Sequence, residues 1–198
     1  MIITLYFFPP SGAVAGAYST TDNSIGIWNA PANLSLFSVI DPVIKIDNAH
    51  QDDLIVDPDA GKSINVIRTF AGRGVVVWGA RTLAGNDNEW KYISVRRFVT
   101  MVEVAIKRLA NCSVFEPNTV NTWKKVSRMI DTYLSQKWKE GGLAGSTVNE
   151  AFFVKCGLGI TMTGQDVLDG NMIIEIGIAA VRPAEFIIIT FSQKLQTS

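Results

Sequence analysis

The sequence predicts an α+β fold: a two-layer sandwich in which helices pack on one face of a mixed β-sheet. Three observations point there. A strand hairpin comes first, two long amphipathic helices follow, and three apolar strand-like segments close the chain. No βαβ unit repeats, so the helices are expected on one side of the sheet.

MIITLYFF (1–8) predicts a strand that begins abruptly. It lacks a basic n-region and Pro9-Pro10 interrupts it, so a strand and turn are expected in place of a signal peptide, although AVA at 13–15 has the small residues of a cleavage site. Residues 9–33 are rich in Gly, Pro, Ser, Thr and Asn, and the whole of 9–63 is expected to be loop-rich. Within it, LSLFSVI and PVIKID supply two short alternating stretches, the second being Val43-Ile44-Lys45-Ile46. An acidic loop from Asp47 to Gly61 follows. INVIRTFAGRGVVVWGARTL then reads as a hairpin: strand 64–69, a turn through Ala71-Gly72-Arg73-Gly74, and strand 75–80.

Val95, Phe98, Val99, Val102, Ile106 and Leu109 recur at the spacing of a helix with one buried face, with Ser94 as its N-cap. A second helix opens at Glu116-Pro117-Asn118, capped by Asn118, and runs to Glu140, where Gly141-Gly142 stops it. Its apolar stripe is Trp123, Val126, Ile130, Leu134 and Trp138. AFFVKC, MIIEIGIAAV and EFIIITF supply the last strands. Residues 1–183 are expected to form the core and 184–198 a C-terminal arm.

Of the 198 residues, 47% are hydrophobic and 18% charged, and the mean hydropathy is +0.21. That suits a subunit burying much of its outer surface in an assembly. Basic and acidic residues balance at 18 each, which leaves no electrostatic footprint for nucleic acid or an anionic membrane. No apolar run reaches the roughly 20 residues of a membrane-spanning helix. Cys112 and Cys156 form no C-x-x-C pair and read as small buried hydrophobes in a reducing compartment, a disulfide being the less favoured alternative.

Enzymatic chemistry finds little support, and no cofactor or metal is expected. Gly61-Lys62-Ser63 invites a phosphate-loop reading, but Val56 stands where the first glycine belongs, and a strand follows where a helix should open. DPDAG (57–61) starts like a calcium loop, yet its glycine comes one position early and the closing glutamate is missing. Both read as turns. His50, the single histidine, sits in a polar stretch with no nucleophile elbow beside it, and zinc would want several His or Cys ligands.

Two features remain. The second helix carries Lys124, Lys125, Arg128, Lys137 and Lys139 against Asp131 and Glu140. This is either a solvated face or a surface for an acidic partner. At the C-terminus, Pro183 cannot donate a ladder hydrogen bond, so the strand before it must stop or bend. The apolar run Phe186-Ile187-Ile188-Ile189-Thr190-Phe191 then restarts an extended pattern. It either folds back into its own sheet or adds to the open edge of another chain.

The segments PPSGAVAGAYSTTDNSIGIWNAPAN, INVIRTFAGRGVVVWGARTL, WKYISVRRF, VFEPN, LAGSTVNEAFFVKC and MIIEIGIAAVRPAEFIIITFSQ, in this order from Pro9 to Lys194, resemble the C-terminal part of the contractile tail sheath family of phages, R-type tailocins and related injection systems. Members are usually longer, with material before PPSGAVAG, so a truncated chain or a reduced paralogue is expected. The family's subtilisin-like label describes a likeness of fold, not protease activity.

The resemblance implies a structural, non-enzymatic protein. Its copies form hexameric rings stacked helically around an inner tube protein and meet baseplate and terminator proteins. Assembly in the bacterial cytoplasm, within a phage tail or an extracellular or cytoplasmic contractile particle, goes with it. It also implies that Glu185, Phe186, Ile187, Ile188, Ile189, Thr190 and Phe191 form a strand donated to a neighbouring subunit. Val181, Arg182, Pro183 and Ala184 would be its hinge, and the basic helix would face the tube. The competing expectation is a monomeric module that binds an acidic protein through helix 118–140.

Overall fold

A computed structural model describes residues 7–57, 59–85 and 87–185. The expected strand at 1–8 falls mostly outside them. The first described element is a helix, α1 (Ser11–Ser24), where a loop was expected. Ala13, Ala15 and Ala17 favour it, and its hydroxyls bond back one turn: Thr20 Oγ1 to Gly16 O at 2.9 Å and Thr21 Oγ1 to Ala17 O at 3.0 Å. It is pinned from outside. Both oxygens of Asp22 accept from Arg97, at 2.9 and 2.5 Å, and the same guanidinium lies 4.8 Å above the Tyr18 ring. Docking of this kind outweighs the weak propensity of Gly, Ser and Thr.

Only Leu34–Ser35 of the two alternating stretches forms a strand, β1. Pro42 offers no donor, Ser38 takes a positive φ of 65°, and Phe37 is 91% exposed. The alternation of 36–46 therefore has no buried face to serve. The acidic loop contains a second helix, α2 (Asn48–Ile55), capped by Asp47, whose Oδ1 accepts the His50 backbone N–H at 2.9 Å.

The hairpin is as expected. Strands β2 (Val66–Phe70) and β3 (Gly74–Trp78) pair antiparallel, Val66 opposite Trp78 and Phe70 opposite Gly74, and β1 joins the other edge of β3. Gly72 and Gly74 take the left-handed conformations that close the turn.

The helices α3 (Ile93–Asn111) and α4 (Val120–Lys139) follow. Two caps differ from expectation. The antiparallel bridge between Arg81 and Tyr92 keeps the chain extended up to Tyr92, which becomes the N-cap, and Ser94 is buried inside the helix. Thr119 caps α4, while the Asn118 amide accepts from Trp123 Nε1 at 2.6 Å and donates to Asn171 O at 3.1 Å. The C-terminal stop stands: Gly141 has φ +92°, and Gly142 N–H bonds Lys137 O at 3.0 Å in a Schellman closure.

Two short helices, α5 (Val148–Ala151) and α6 (Gly164–Leu168), flank β4 (Phe152–Lys155), which pairs antiparallel with β5 (Glu175–Ile178). The α+β class holds. The single mixed sheet does not: the described strands fall into two antiparallel sheets, β1-β3-β2 and β4-β5. Each serves its own apolar layer. Phe98 and Val102 of α3, Val126, Ile130 and Leu134 of α4, and Leu143, Ala151 and Phe152 form one core, with Ile174, Ile176 and Ile178 packed against it. Val66, Val75, Val76 and Val77 are buried in the other sheet, outside that cluster. One continuous sheet could not cover both.

Gly142 is fixed by packing as well as by its turn. A Cβ there would stand 2.9 Å from Phe98 Cε2 and 3.0 Å from Trp28 Cε3. Trp28 already meets Phe98 edge-on, with ring centroids 6.0 Å apart. Gly142→Ala should cost about 1–3 kcal/mol by overpacking, read as a lowered thermal midpoint; an unchanged midpoint would show that the aromatic pair yields freely.

Both cysteines are free thiols. Cys156 is half-buried, which raises its pKa, but Cys112, at the end of α3, is exposed and not the buried hydrophobe expected.

Candidate assembly site

The sequence readings converge on the end of the chain and on the outer face of α4. After β5 the chain stays paired a little longer. Ala179 N–H bonds Ala151 O at 2.8 Å, Ala180 bridges Leu143, and Val181 N–H reaches Gly142 O at 3.3 Å. The segment Val181, Arg182, Pro183 and Ala184 then crosses the surface, with Arg182 and Ala184 exposed. Pro183 has no N–H to give.

The segment ends at a fixed point. Arg81 Nε donates to Glu185 Oε1 and Oε2 at 2.9 and 3.0 Å, and its Nη2 to Oε2 at 2.6 Å. Tyr92 Oη adds a long bond to Oε2 at 3.4 Å. Burial first, and then the Glu185 charge, raise the Tyr92 pKa, so the phenol stays protonated as a donor. The Arg81 side chain is 7% exposed, and its third nitrogen, Nη1, donates to Ile55 O at 3.3 Å. Asn65 holds the Arg81 backbone on both sides, Nδ2 to Arg81 O and Arg81 N to Oδ1, each at 2.8 Å. Gly79, at φ +142°, makes room, since a Cβ there would meet Asn65 Oδ1 at 2.8 Å.

Glu185, expected as the first residue of a donated strand, is thus held by its own protomer. Phe186, Ile187, Ile188, Ile189, Thr190 and Phe191 lie outside the described residues. Sequence reasoning missed Arg81, Asn65 and Tyr92. The available signal was a charge within the apolar strand end WGARTL and a lone carboxylate between Pro183 and the apolar run.

On α4 the five basic residues separate. Lys124, Lys125, Arg128 and Lys139 project from the face opposite the buried stripe. Lys125 pairs with Glu116 at 2.5 Å, while Lys124, Arg128 and Lys139 have no carboxylate partner among the described residues. Lys137 departs from this group. Its side chain is 19% exposed, bonded to Glu140 at 2.6 Å and folded toward the Tyr133 ring.

The candidate chemical motifs are turns. Asp57 Oδ1 accepts from the backbone of Asp59 and Ala60, and Ser63 Oγ donates to Ile55 O at 2.5 Å. Among the described residues no three His, Cys, Asp or Glu side chains gather to hold a metal, and no helix is long and apolar enough to cross a membrane.

Residues 1–83 match the phage tail sheath protein central domain, and residues 85–194 the phage tail sheath C-terminal domain. The hairpin sheet lies wholly in the first segment and the helical core in the second. The tail sheath protein of Vibrio phage KVP40 is 29% identical over 138 residues, 68% of this chain and 20% of that protein. Among solved structures, a chain of the anti-feeding prophage baseplate, 6-fold symmetrised, is 48% identical with a TM-score of 0.86, covering 94% of this chain and 51% of that one. A chain of the PVC sheath complex, an extracellular contractile injection system in the contracted state, is 44% identical with a TM-score of 0.88 and the same coverage. This chain therefore spans about half the length of those solved relatives.

Proposed function

The chain belongs to the phage tail sheath family, and from that premise we propose that it is a structural subunit of a contractile sheath. Copies polymerise as stacked hexameric rings around an inner tube, and shortening of the sleeve drives the tube through a target envelope. The observation that carries this reading is the likeness across 94% of the chain, at a TM-score of 0.88, to a protein of a contracted sheath. The relatives matched are sheath proteins, which favours a structural over a catalytic role. Inner tube, baseplate and terminator proteins are the partners that follow. Such a particle is assembled in the bacterial cytoplasm, as a phage tail or an injection system.

The arm is read as strand exchange. An apolar run follows the clamped Glu185, and β1, β2, β4 and β5 are all outer strands of small sheets among the described residues. A two-stranded sheet is marginal alone and gains from a third strand. Backbone hydrogen bonds to a neighbour would hold copies together while rigid bodies rotate and slide. The separation of residues 1–183 from an arm at 184–198 belongs to the same proposal.

Electron microscopy of the purified assembly tests the function. Sleeve-like tubes or stacked rings are expected. A concentrated monomer by light scattering would overturn the reading and favour a module that docks an acidic protein on α4.

The outer face of α4 is proposed to meet the tube. Lys124→Glu, Lys125→Glu and Arg128→Glu together should weaken tube-templated assembly at low salt while changing the fold little, since exposed substitutions usually stay within about 0.5 kcal/mol each. Cosedimentation with tubes across a salt series reads this. Wild-type sheathing by the triple variant would remove the helix from the interface.

A further inference from the structure

We propose that Arg81 is a positioning residue for assembly: it forms a socket for the Glu185 carboxylate that fixes the end of the 181–185 segment, the point from which the proposed strand-exchange run starts. The proposal rests on the sheath reading only in saying what those residues go on to meet.

The socket is over-determined. A guanidinium this buried must have its charge compensated, and the bonds from Nε and Nη2 to the two Glu185 oxygens do so while fixing orientation as well as distance. Nη1 on Ile55 O and the two Asn65 bonds to the Arg81 backbone leave the side chain little room to follow Glu185 if it moves. Tyr92 closes the site from the residue that caps α3.

The groups around this one carboxylate come from separate parts of the chain: Ile55 at the end of α2, Asn65 just before β2, Arg81 in the bridged segment after β3 and Tyr92 at the N-cap of α3. Among the described residues, few other backbone bonds hold the strap. Between the Val181 N–H bond to Gly142 and the Glu185 ion pair, none of the intervening backbone groups makes a hydrogen bond within the described residues. Without the socket, four residues would be free to reorient the exit point. With it, that ordering is complete before a partner arrives, which is how preorganisation strengthens association.

The socket also joins the two segments that match different sheath domains. Arg81 and Ile55 belong to the first and Glu185 to the second. A displacement of α2 would pull on the exit point through the Ile55 carbonyl.

Glu185→Gln in the full chain is the direct test, because it keeps the shape and one acceptor while removing the charge. The critical concentration for assembly should rise about tenfold or more, the scale of a lost charge-assisted hydrogen bond. Hydrogen exchange of peptides covering 179–185 should accelerate, with protection in 126–134 unchanged. Wild-type exchange at 179–185, or a wild-type critical concentration, overturns the proposal. If Glu185→Gln loses its fold, Arg81→Lys replaces it: the charge stays but the fork geometry is lost, and the same two readouts apply. A chain ended after Glu185 separates the two claims. It retains the socket, so wild-type assembly by that chain defeats strand donation, while exchange at 179–185 still reports on the socket.

Discussion

Ending the chain after Glu185 is expected to leave a folded protomer that does not assemble. The core packs Phe98, Val102, Val126, Ile130, Leu134, Leu143, Ala151 and Phe152, and among the described residues the last in sequence to pack against it is Ala180. Among the described residues, no member of that cluster lies beyond the cut. The Arg81–Glu185 pair survives as well, so no buried guanidinium is stranded. The removed stretch carries Phe186, Ile187, Ile188, Ile189 and Phe191, the run proposed to complete a neighbour's sheet. Circular dichroism should give a melting curve near that of the intact chain, and micrographs should show dispersed particles in place of tubes. Normal tubes from the shortened chain would falsify strand donation. Cutting before Val181 is a different experiment. It removes Glu185 and the Val181 bond to Gly142, and both folding and assembly should suffer.

Much of the helical half was legible because its pattern is strong. A stripe such as Val126, Ile130 and Leu134 is satisfied by one geometry, and Gly141-Gly142 can close only the end of a helix in the way seen. The hairpin was legible for the same reason, with a glycine turn between two alternating runs. The N-terminal region was not. Its Gly, Ser and Thr lower helix propensity, and α1 exists through Arg97, seventy-five residues away from the Asp22 it grips. Composition says nothing of such a partner. In residues 36–46 the error ran the other way: alternation was present, but Pro42 and the left-handed Ser38 keep the chain out of the sheet. The socket depends on four segments meeting, and a single sequence read locally does not pair Arg81 with Glu185.

Ile130→Ala is expected to be among the most damaging single core changes. Ile130 is 0% exposed, in the middle of α4, and shares its cluster with Phe98, Val126 and Leu134. Removing its outer carbons leaves a cavity that two helices and a sheet would have to collapse to fill. Helix α4 is tied at both ends, by the side-chain bond from Trp123 to Asn118 and by the Schellman closure. Collapse is therefore restricted, and a loss of about 2–5 kcal/mol follows. For a chain of this size each kcal/mol lowers the thermal midpoint by about 2–4 °C, so calorimetry should resolve the effect easily. A loss below about 1 kcal/mol would mean that the helix moves to close the gap. Assembly should then respond in proportion to the folded fraction alone. The charge reversals on Lys124, Lys125 and Arg128 predict the opposite pattern, lost assembly with an intact core. Comparing the two variants tells the residues that make the body from those proposed to connect it.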